Sequence, residues 1–452
     1  MTSFIAKTRE LFDRFDPKYV AFKRRVANFR YPSVKMGSLL SEPPEYGAGE
    51  AGIERLNDTT PRYIRITDID ENGELLPGLG MTAANVEPQY FLRDGDLLFA
   101  RSGNTVGKSY LHESERVPYP CFYAGYMIRF RFSEKVLPKY VFAFTQTPYY
   151  HEWVSAIQRS AGQPNINAQE YRSLEIPLPP LPEQRKIVAE LDAAYAAKRA
   201  ADEKATKLLA SIDEMVLKEL GITKLPKPDT SLSSRMFVVP AREVANATLA
   251  PDHYFDSIDF SKAKYPCERF VARIDIDPPC GFERITKLVP MESVSAEWCA
   301  IESIKDIFPD ATQGYSTFRG GDVIWARITP CMENGKSAVM EAEPSECFCG
   351  STEFLVFRPK DDKVNPYYLQ SLLHLKRFRE VAAHHFTGTS GHQRVTADFF
   401  KAISIPIPPR SVQDRIASTA SSIRAEARKL KADATATLDA VKLKIENSLV
   451  NN

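Results

Sequence analysis

No hydrophobic run in this sequence approaches the roughly 18 residues that a membrane span needs, and residues 1–35 carry too much charge for a secretory leader. Cysteine is scarce as well. Seven in 452 residues, an odd number with no CxxC spacing, argue against a disulfide framework and for a reducing cytoplasm. Cys347-x-Cys349 is the closest pair, and no CxxC or HxxxH partner accompanies it, so it is not read as a metal site; His384-His385 is equally isolated. A P-loop, a glycine-rich loop following a strand, and spacing that would assign a nuclease site or catalytic triad are all missing. No low-complexity tract occurs. Charge of one sign is missing too. A net charge of +1 gives no nucleic-acid signature by itself, although residues 1–35 hold nine Lys/Arg against three acids.

What the sequence has is one pattern stated twice. Ile176-Pro177-Leu178-Pro179-Pro180 returns 229 residues later as Ile405-Pro406-Ile407-Pro408-Pro409, and Gln184 and Ile187 are matched by Gln413 and Ile416. Gly95-Asp96-Leu97-Leu98-Phe99-Ala100-Arg101 aligns with Gly321-Asp322-Val323-Ile324-Trp325-Ala326-Arg327, displaced by 226. Gly107-Lys108 pairs with Gly335-Lys336 and Pro138-Lys139-Tyr140 with Pro366-Tyr367-Tyr368, while Gly162 and Ile166 pair with Gly391 and Val395. So small a drift in displacement means two copies of one architectural unit, each large enough for its own core.

Local signals within each unit are short and mixed. Phe4–Phe15 reads as a helix capped by Ser3. Tyr63–Thr67 alternates like a half-buried strand, Asp70–Gly73 and Asp94–Asp96 read as turns, Leu97–Ala100 and Tyr126–Phe132 as strands, and Val136–Ile157 as helix. The class is α+β, rich in strands and irregular loops. The proline motif fits neither a sheet interior nor a helix, so it predicts an extended strap leaving the globular part.

A long helix follows each strap. Pro182 suits the first turn of one, and Ser411 with Asp414 suggests a capping box for the other. Positions spaced 4-3-4-3 are Ile187, Leu191, Ala194, Lys198, Ala201, Ala205, Leu208, Ile212 and Met215 in the first helix. In the second they are Ile416, Ala420, Ile423, Ala427, Leu430, Ala434, Thr437 and Val441. Two matched heptad seams with alanines in mid-seam predict that the helices pack on each other closely, and an antiparallel arrangement would relate the halves by an approximate two-fold axis. Gly221 closes the first helix. The expected divisions are a recognition-type domain at 1–180, a helix at 181–221, a linker at 222–235, a second domain at 236–410 and a second helix at 411–452.

These features together resemble the specificity subunits of type I restriction–modification systems. The resemblance is carried by Tyr63–Ile69, by Gly95–Lys108, by Asn165-Ile166-Asn167, and by the proline motif with Leu181-Pro182-Glu183-Gln184 and the helix beyond. It covers nearly the whole chain and occurs twice in the same order. It implies two similar target-recognition domains, separated and joined by two long helices forming an antiparallel coiled coil. Each domain would read part of a split site in double-stranded DNA. It also implies a non-catalytic scaffold for two methyltransferase (M) subunits, joined by restriction (R) subunits of the nuclease-translocase kind, in cytoplasmic defence against phage. S-adenosylmethionine, ATP and Mg would belong to those partners, with no cofactor or metal in this chain. The second half departs from the pattern at Arg410-Ser411-Val412-Gln413 and His392–Thr396, and Ala250-Pro251-Asp252-His253-Tyr254 stands where the first half has Asp16-Pro17-Lys18-Tyr19. Such divergence between domains implies unlike half-sites.

Base edges are read by hydrogen-bonding side chains, while phosphates take Arg, Lys, hydroxyls and backbone N–H groups. The loop after the first Gly-Asp strand supplies Arg101, Ser102, Asn104 and Lys108, with glycines that permit close backbone approach. Gln163, Asn165 and Asn167 form a second polar loop. The counterparts are Arg327, Asn334 and Lys336, then Gln393 and Arg394. A structural reading competes: Gly-Asp-Leu-Leu-Phe-Ala as turn and buried strand, with Arg101 and Arg327 in salt bridges. An enzyme reading rests on Asp277-Pro278-Pro279-Cys280, which resembles an amino-methyltransferase motif but lacks the aromatic that would stack on a flipped base, so a turn is expected there. Two alternatives remain: a coiled-coil interaction scaffold that reads no DNA, and a specificity subunit of a related non-type-I modification or defence system.

Overall fold

Each repeated Gly-Asp builds a tight turn whose carboxylate is buried. Gly95 and Gly321 hold φ of +80° and +84°, a conformation that favours glycine. Asp96 accepts from Arg93 N–H at 2.8 Å and from Arg131 Nε at 2.7 Å, while Asp322 accepts from Arg319 N–H at 2.8 Å and from Arg358 Nε and Nη2 at 2.7 Å. The aspartates are 1% exposed in both copies, so the motif is a fold-closing ion pair first. The computed structural model describes residues 18–20, 22, 29–158, 164–229, 231, 238–240, 254, 256–280, 285–308, 314–388 and 393–450. The helix expected over Phe4–Phe15 lies outside them.

The chain divides into two units, residues 1–200 with 433–452 and residues 201–432. Unit 1 holds β1 (Ser33–Lys35), β2 (Glu45–Tyr46), β3 (Gly52–Glu54), β4 (Arg62–Ile64), β5 (Met81–Ala83), β6 (Leu97–Ala100), β7 (Ser109–Leu111), β8 (Cys121–Tyr123), β9 (Met127–Phe130) and β10 (Glu175–Pro177). They form sheets β2-β9-β6-β7 and β3-β5-β4-β8 and a β1-β10 ribbon. Helices α1 (Pro138–Thr145), α2 (Pro148–Ile157) and α3 (Ala168–Arg172) complete the globular part. A long helix, α4 (Leu181–Glu219), starts in unit 1 and continues into unit 2.

Unit 2 repeats the plan. Its strands are β11 (Cys267–Arg269), β12 (Ile274–Ile276), β13 (Lys287–Val289), β14 (Lys305–Asp306), β15 (Ser316–Arg319), β16 (Val323–Ala326), β17 (Ser337–Val339), β18 (Cys347–Gly350), β19 (Phe354–Pro359), β20 (Phe386–Thr387), β21 (Arg394–Val395) and β22 (Ser404–Pro406). Sheets β12-β19-β16-β17 and β14-β13-β18-β15 and the β11-β22 ribbon match their counterparts, with a small β20-β21 pair added. The helices are α5 (Phe270–Arg273), α6 (Pro366–His374), α7 (Lys376–His384), α8 (Ala397–Ala402) and the long α9 (Arg410–Leu449). Two mixed helix-and-sheet domains and the long helix between them are thus established.

Several local expectations shift. Val136–Ile157 is two helices, because Thr147-Pro148 restarts the chain with Thr147 capping Tyr150 N–H. Tyr63–Thr67 is strand only to Ile64 and then turns into a single 3₁₀ turn closed by Arg65–Asp68 contacts. The proline strap is pinned rather than leaving: Ile176 and Ile405 are wholly buried, paired with Val34 and Glu268 in ribbons where both strands are edges. Ser411 and Asp414 form no capping box. Helix α9 begins one residue earlier, and Asp414 accepts from Asn365 Nδ2 at 2.7 Å and Arg410 Nε at 2.8 Å. Cys280, in a loop, and Cys347, which opens β18, are joined as a disulfide 67 residues apart, a pairing that cysteine spacing does not reveal. His384 and His385 are both half-buried, with His384 Nδ1 2.9 Å from an Asp256 carboxylate oxygen.

Each helix start is clamped by the repeated glutamine. Gln184 Nε2 donates to Pro179 O at 2.8 Å while its Oε1 accepts Leu137 N–H at 3.0 Å. Gln413 does the same with Pro408 O and Asn365 N–H, both at 2.8 Å. The repeated tyrosines complete the joint: Tyr140 Oη donates to Pro177 O and Tyr368 Oη to Pro406 O.

In unit 1 the core takes Ile187, Leu191, Ala194 and Tyr195 from the start of α4 and Leu438, Ile445 and Leu449 from the end of α9. In unit 2 it takes Ile212 and Val216 from the end of α4, Leu220 just beyond it, and Val412, Ile416 and Ala420 from the start of α9. Ala205 and Ala427 are fully buried; Ala201, Leu208, Met215, Ile423, Leu430, Ala434 and Val441 are half-buried. Toward the end of α9 the buried row moves by one position, to Leu438 rather than Thr437, because a 3.6-residue helix drifts from a strict seven-residue repeat. A loop of each globular part also grips its own helix: Tyr195 Oη donates to Asn72 O at 2.7 Å and Arg199 pairs with Glu74. In unit 2, Trp298 lies beneath the cations of Arg428 and Lys431. Gly221, at φ +73°, ends α4.

Candidate nucleic-acid interface

The two polar loops singled out in each half lie side by side, joined through their backbones. In unit 1, Ile166 N–H donates to Arg101 O at 2.8 Å, Gly103 N–H to Pro164 O at 3.1 Å, and Ser102 bridges Asn165. In unit 2, Val395 N–H donates to Arg327 O at 2.9 Å, Thr329 N–H to Gln393 O at 3.1 Å, and Ile328 bridges Arg394. The same construction is therefore made twice from largely different side chains.

The first loop hangs from a fixed stem. Gly107 and Gly335, at φ +90° and +86°, leave no room for a Cβ, which would lie 2.5 Å from Val154 and 2.7 Å from His374 respectively. Their close approach is thus to the domain's own helices rather than outward. Lys108 Nζ donates to Ile69 O and Lys336 Nζ to Met291 O, both at 2.8 Å, which fastens the loop to the 3₁₀ turn that follows β4 in unit 1 and β13 in unit 2. Asn104 and Asn334 stand exposed at the loop tips. In the second loop Asn165 is exposed, whereas Asn167 caps α3, accepting Glu170 N–H at 2.9 Å. Gln163 lies outside the described residues.

The arginines occupy the junction of the loops. Arg101 lies over the Tyr46 ring, 5.0 Å from its centroid, and donates its backbone N–H to Tyr126 O. Arg327 donates its N–H to Glu353 O, with its Nε 3.6 Å from that residue's carboxylate. Arg394 grips the same carboxylate, Nε lying 3.0 and 2.8 Å from Oε1 and Oε2. That hydrogen bonding to Arg394 holds the Glu353 carboxyl below the usual carboxylate range. The Nε atoms of Arg101 and Arg327 are buried without a hydrogen-bond partner. The same atom is thus buried at the same place in both halves, and in unit 2 it faces the Glu353 carboxylate.

Tyr46, Tyr126 and Glu353 are the site residues that sequence reasoning missed. Tyr126 and Glu353 each immediately precede a strand, and nothing in their local pattern reports the arginine each one meets. The exposure of Tyr126, at 65%, is visible only in the fold.

The model of the type I restriction modification DNA specificity domain matches this chain twice, over residues 63–207 and 289–438. The chain belongs to that family. Both matched stretches of this specificity-domain protein contain the Gly-Asp strand and its loop. The EcoAI specificity subunit of Escherichia coli is 30% identical over 168 residues, 37% of this chain and 28% of that protein. The EcoKI specificity subunit of Escherichia coli K12 is 25% identical over 219 residues, 46% of this chain and 44% of that protein. The matched stretches thus span less than half of these relatives' own length. Among solved structures, a chain from work on complex assembly and conformational transition of the type I R-M system aligns over 93% of this chain and 97% of its own, at 17% identity and a TM-score of 0.47.

Proposed function

We propose that this chain is the DNA sequence-recognition subunit of a type I restriction–modification complex. Each unit carries one target-recognition domain, residues 1–180 and 236–410, and together they read the two halves of an interrupted site in double-stranded DNA. The observation that carries this reading is the paired-loop arginine site, built twice in one chain, within the two stretches that match the specificity-domain model. The helices 181–221 and 411–452 form an antiparallel coiled coil, with 222–235 as linker. Support comes from each unit separately: Lys444–Glu190 at 2.8 Å in one and Arg415–Glu219 at 2.6 Å in the other both join the start of one helix to the end of the other.

On this reading the chain catalyses nothing. It scaffolds two methyltransferase subunits and the nuclease-translocase subunits, which bring S-adenosylmethionine, ATP and Mg, and it works in the cytoplasm. Among the described residues no helix is long and apolar enough to cross a membrane. Asp277-Pro278-Pro279-Cys280 has a structural use instead: Asp277 exchanges hydrogen bonds with Val356, and Arg358 donates to Pro279 O.

The test is a map of methylated bases in host DNA with and without the gene. A bipartite methylation motif that vanishes on deletion is the expected result. A methylome unchanged by deletion would leave the interaction scaffold as the better account. Methylation of DNA by the purified chain with S-adenosylmethionine alone would overturn the non-catalytic assignment.

A further inference from the structure

The two recognition sites share one arginine and differ at the two positions beside it. The carbonyl that accepts the arginine's backbone N–H belongs to Tyr126 in unit 1 and to Glu353 in unit 2. The bridging residue on the second loop is Asn165 in unit 1 and Arg394 in unit 2. Matching backbone bonds make these true equivalents, so the set is Arg101, Tyr126 and Asn165 in one domain and Arg327, Glu353 and Arg394 in the other. Formal charge is +1 in each set, yet the hydrogen-bonding character is opposite. Unit 1 offers one arginine, a phenol and an exposed carboxamide. Unit 2 offers two guanidinium groups steered by one shared carboxylate.

Resting on the function proposed above, we propose that each set reads bases, and that Tyr126/Glu353 and Asn165/Arg394 are the positions that make the two half-sites differ. Glu353 is a positioning residue. A planar carboxylate held by Arg394 fixes the plane of that guanidinium, and its 3.6 Å approach to Arg327 Nε limits the second one. Guanidinium groups fixed in this way match the two acceptors on the major-groove edge of guanine, whereas the carboxamide of Asn165 matches the donor and acceptor of adenine. Unit 2 therefore requires a guanine in its half-site and unit 1 an adenine in the other. In unit 1 it is the Tyr46 ring, rather than a carboxylate, that lies against the Arg101 guanidinium.

The experiment uses the full chain with its partner methyltransferase subunits, comparing methylated motifs genome-wide for wild type, Glu353→Gln, and the double variant Tyr126→Glu with Asn165→Arg. Glu353→Gln keeps the shape but removes the charge. It should cost roughly tenfold or more of the preference for guanine at one position of one half-site, leaving the other half unchanged. The double variant should alter the base read in the opposite half-site only. Should Glu353→Gln fail to accumulate, the double variant in the other unit decides alone. Motifs unchanged in both variants, or methylation weakened evenly over all sites, would overturn the inference while leaving the bipartite function standing. A wild type without any bipartite motif would instead sink the function and this inference together.

Discussion

Gln184 and Gln413 illustrate what a repeated residue means here. Each spends both ends of its carboxamide on backbone groups of its own domain, inside the fold, where an unmet polar group costs about 1–3 kcal/mol. Asp96 and Asp322, Tyr140 and Tyr368, and Lys108 and Lys336 likewise hold the frame, so repetition alone marks architecture. Arg101 and Arg327 differ in sitting where the two loops meet, Arg101 over the Tyr46 ring and Arg327 beside the Glu353 carboxylate. A second residue-scale consequence concerns His374. Burial, with Arg424 and Arg379 adding positive charge nearby, pushes its pKa from 6.5 down to about 3. The ring stays neutral in the folded state while the unfolded chain takes up its proton at ordinary pH. Stability from this residue is therefore whole above about pH 6.5 and is lost as pH falls from there toward 3. Between pH 7 and pH 5 the urea midpoint of the wild type should fall, and His374→Gln should flatten that fall. Equal slopes for the two proteins would show that the ring protonates freely in the fold.

At the scale of elements, a small residue of the α9 seam lies inside a core. Ala420 is wholly buried in the unit 2 core beside residues from the end of α4. Ala420→Leu adds three carbons to a filled space and should cost about 1–3 kcal/mol, read as a lower urea midpoint at unchanged slope. An unchanged midpoint would mean the space is not filled. Elements with strong local grammar were legible in the sequence: the Gly-Asp turns, the strands they feed, and the helices after the proline motifs. What was hidden depended on tertiary partners. Asp414 looked like half of a capping box because Asn365, 49 residues away, leaves no local trace. Val136–Ile157 looked continuous because apolar residues persist through Thr147-Pro148, and only the cap geometry reveals the break. The candidate site was half legible. Its loops announce themselves through Arg, Asn and Gly, but Tyr46, Tyr126 and Glu353 enter only when strands distant in sequence come together.

For the molecule as a whole, the charge balance sets a limit on what the chain does alone. Affinity for duplex DNA grows with the number of phosphates neutralised, and each such contact steepens the dependence on salt. In a chain with net charge +1, 58 acids offset 59 Lys/Arg, and Lys108 and Lys336 are committed to carbonyls. On the proposed reading, arginines that read bases at two small sites would supply discrimination more than grip. The isolated chain should therefore bind duplexes weakly and separate cognate from scrambled sites poorly at physiological salt. If, as proposed, methyltransferase subunits assemble on this chain and close around the duplex, adding them should raise specific affinity sharply through the phosphate contacts they would provide. Titration of labelled cognate and scrambled duplexes with and without those subunits, across a salt series, measures both effects. If the subunits leave sequence-specific affinity where it was, the recognition surface is already complete in this chain, and its near-neutral charge needs another explanation.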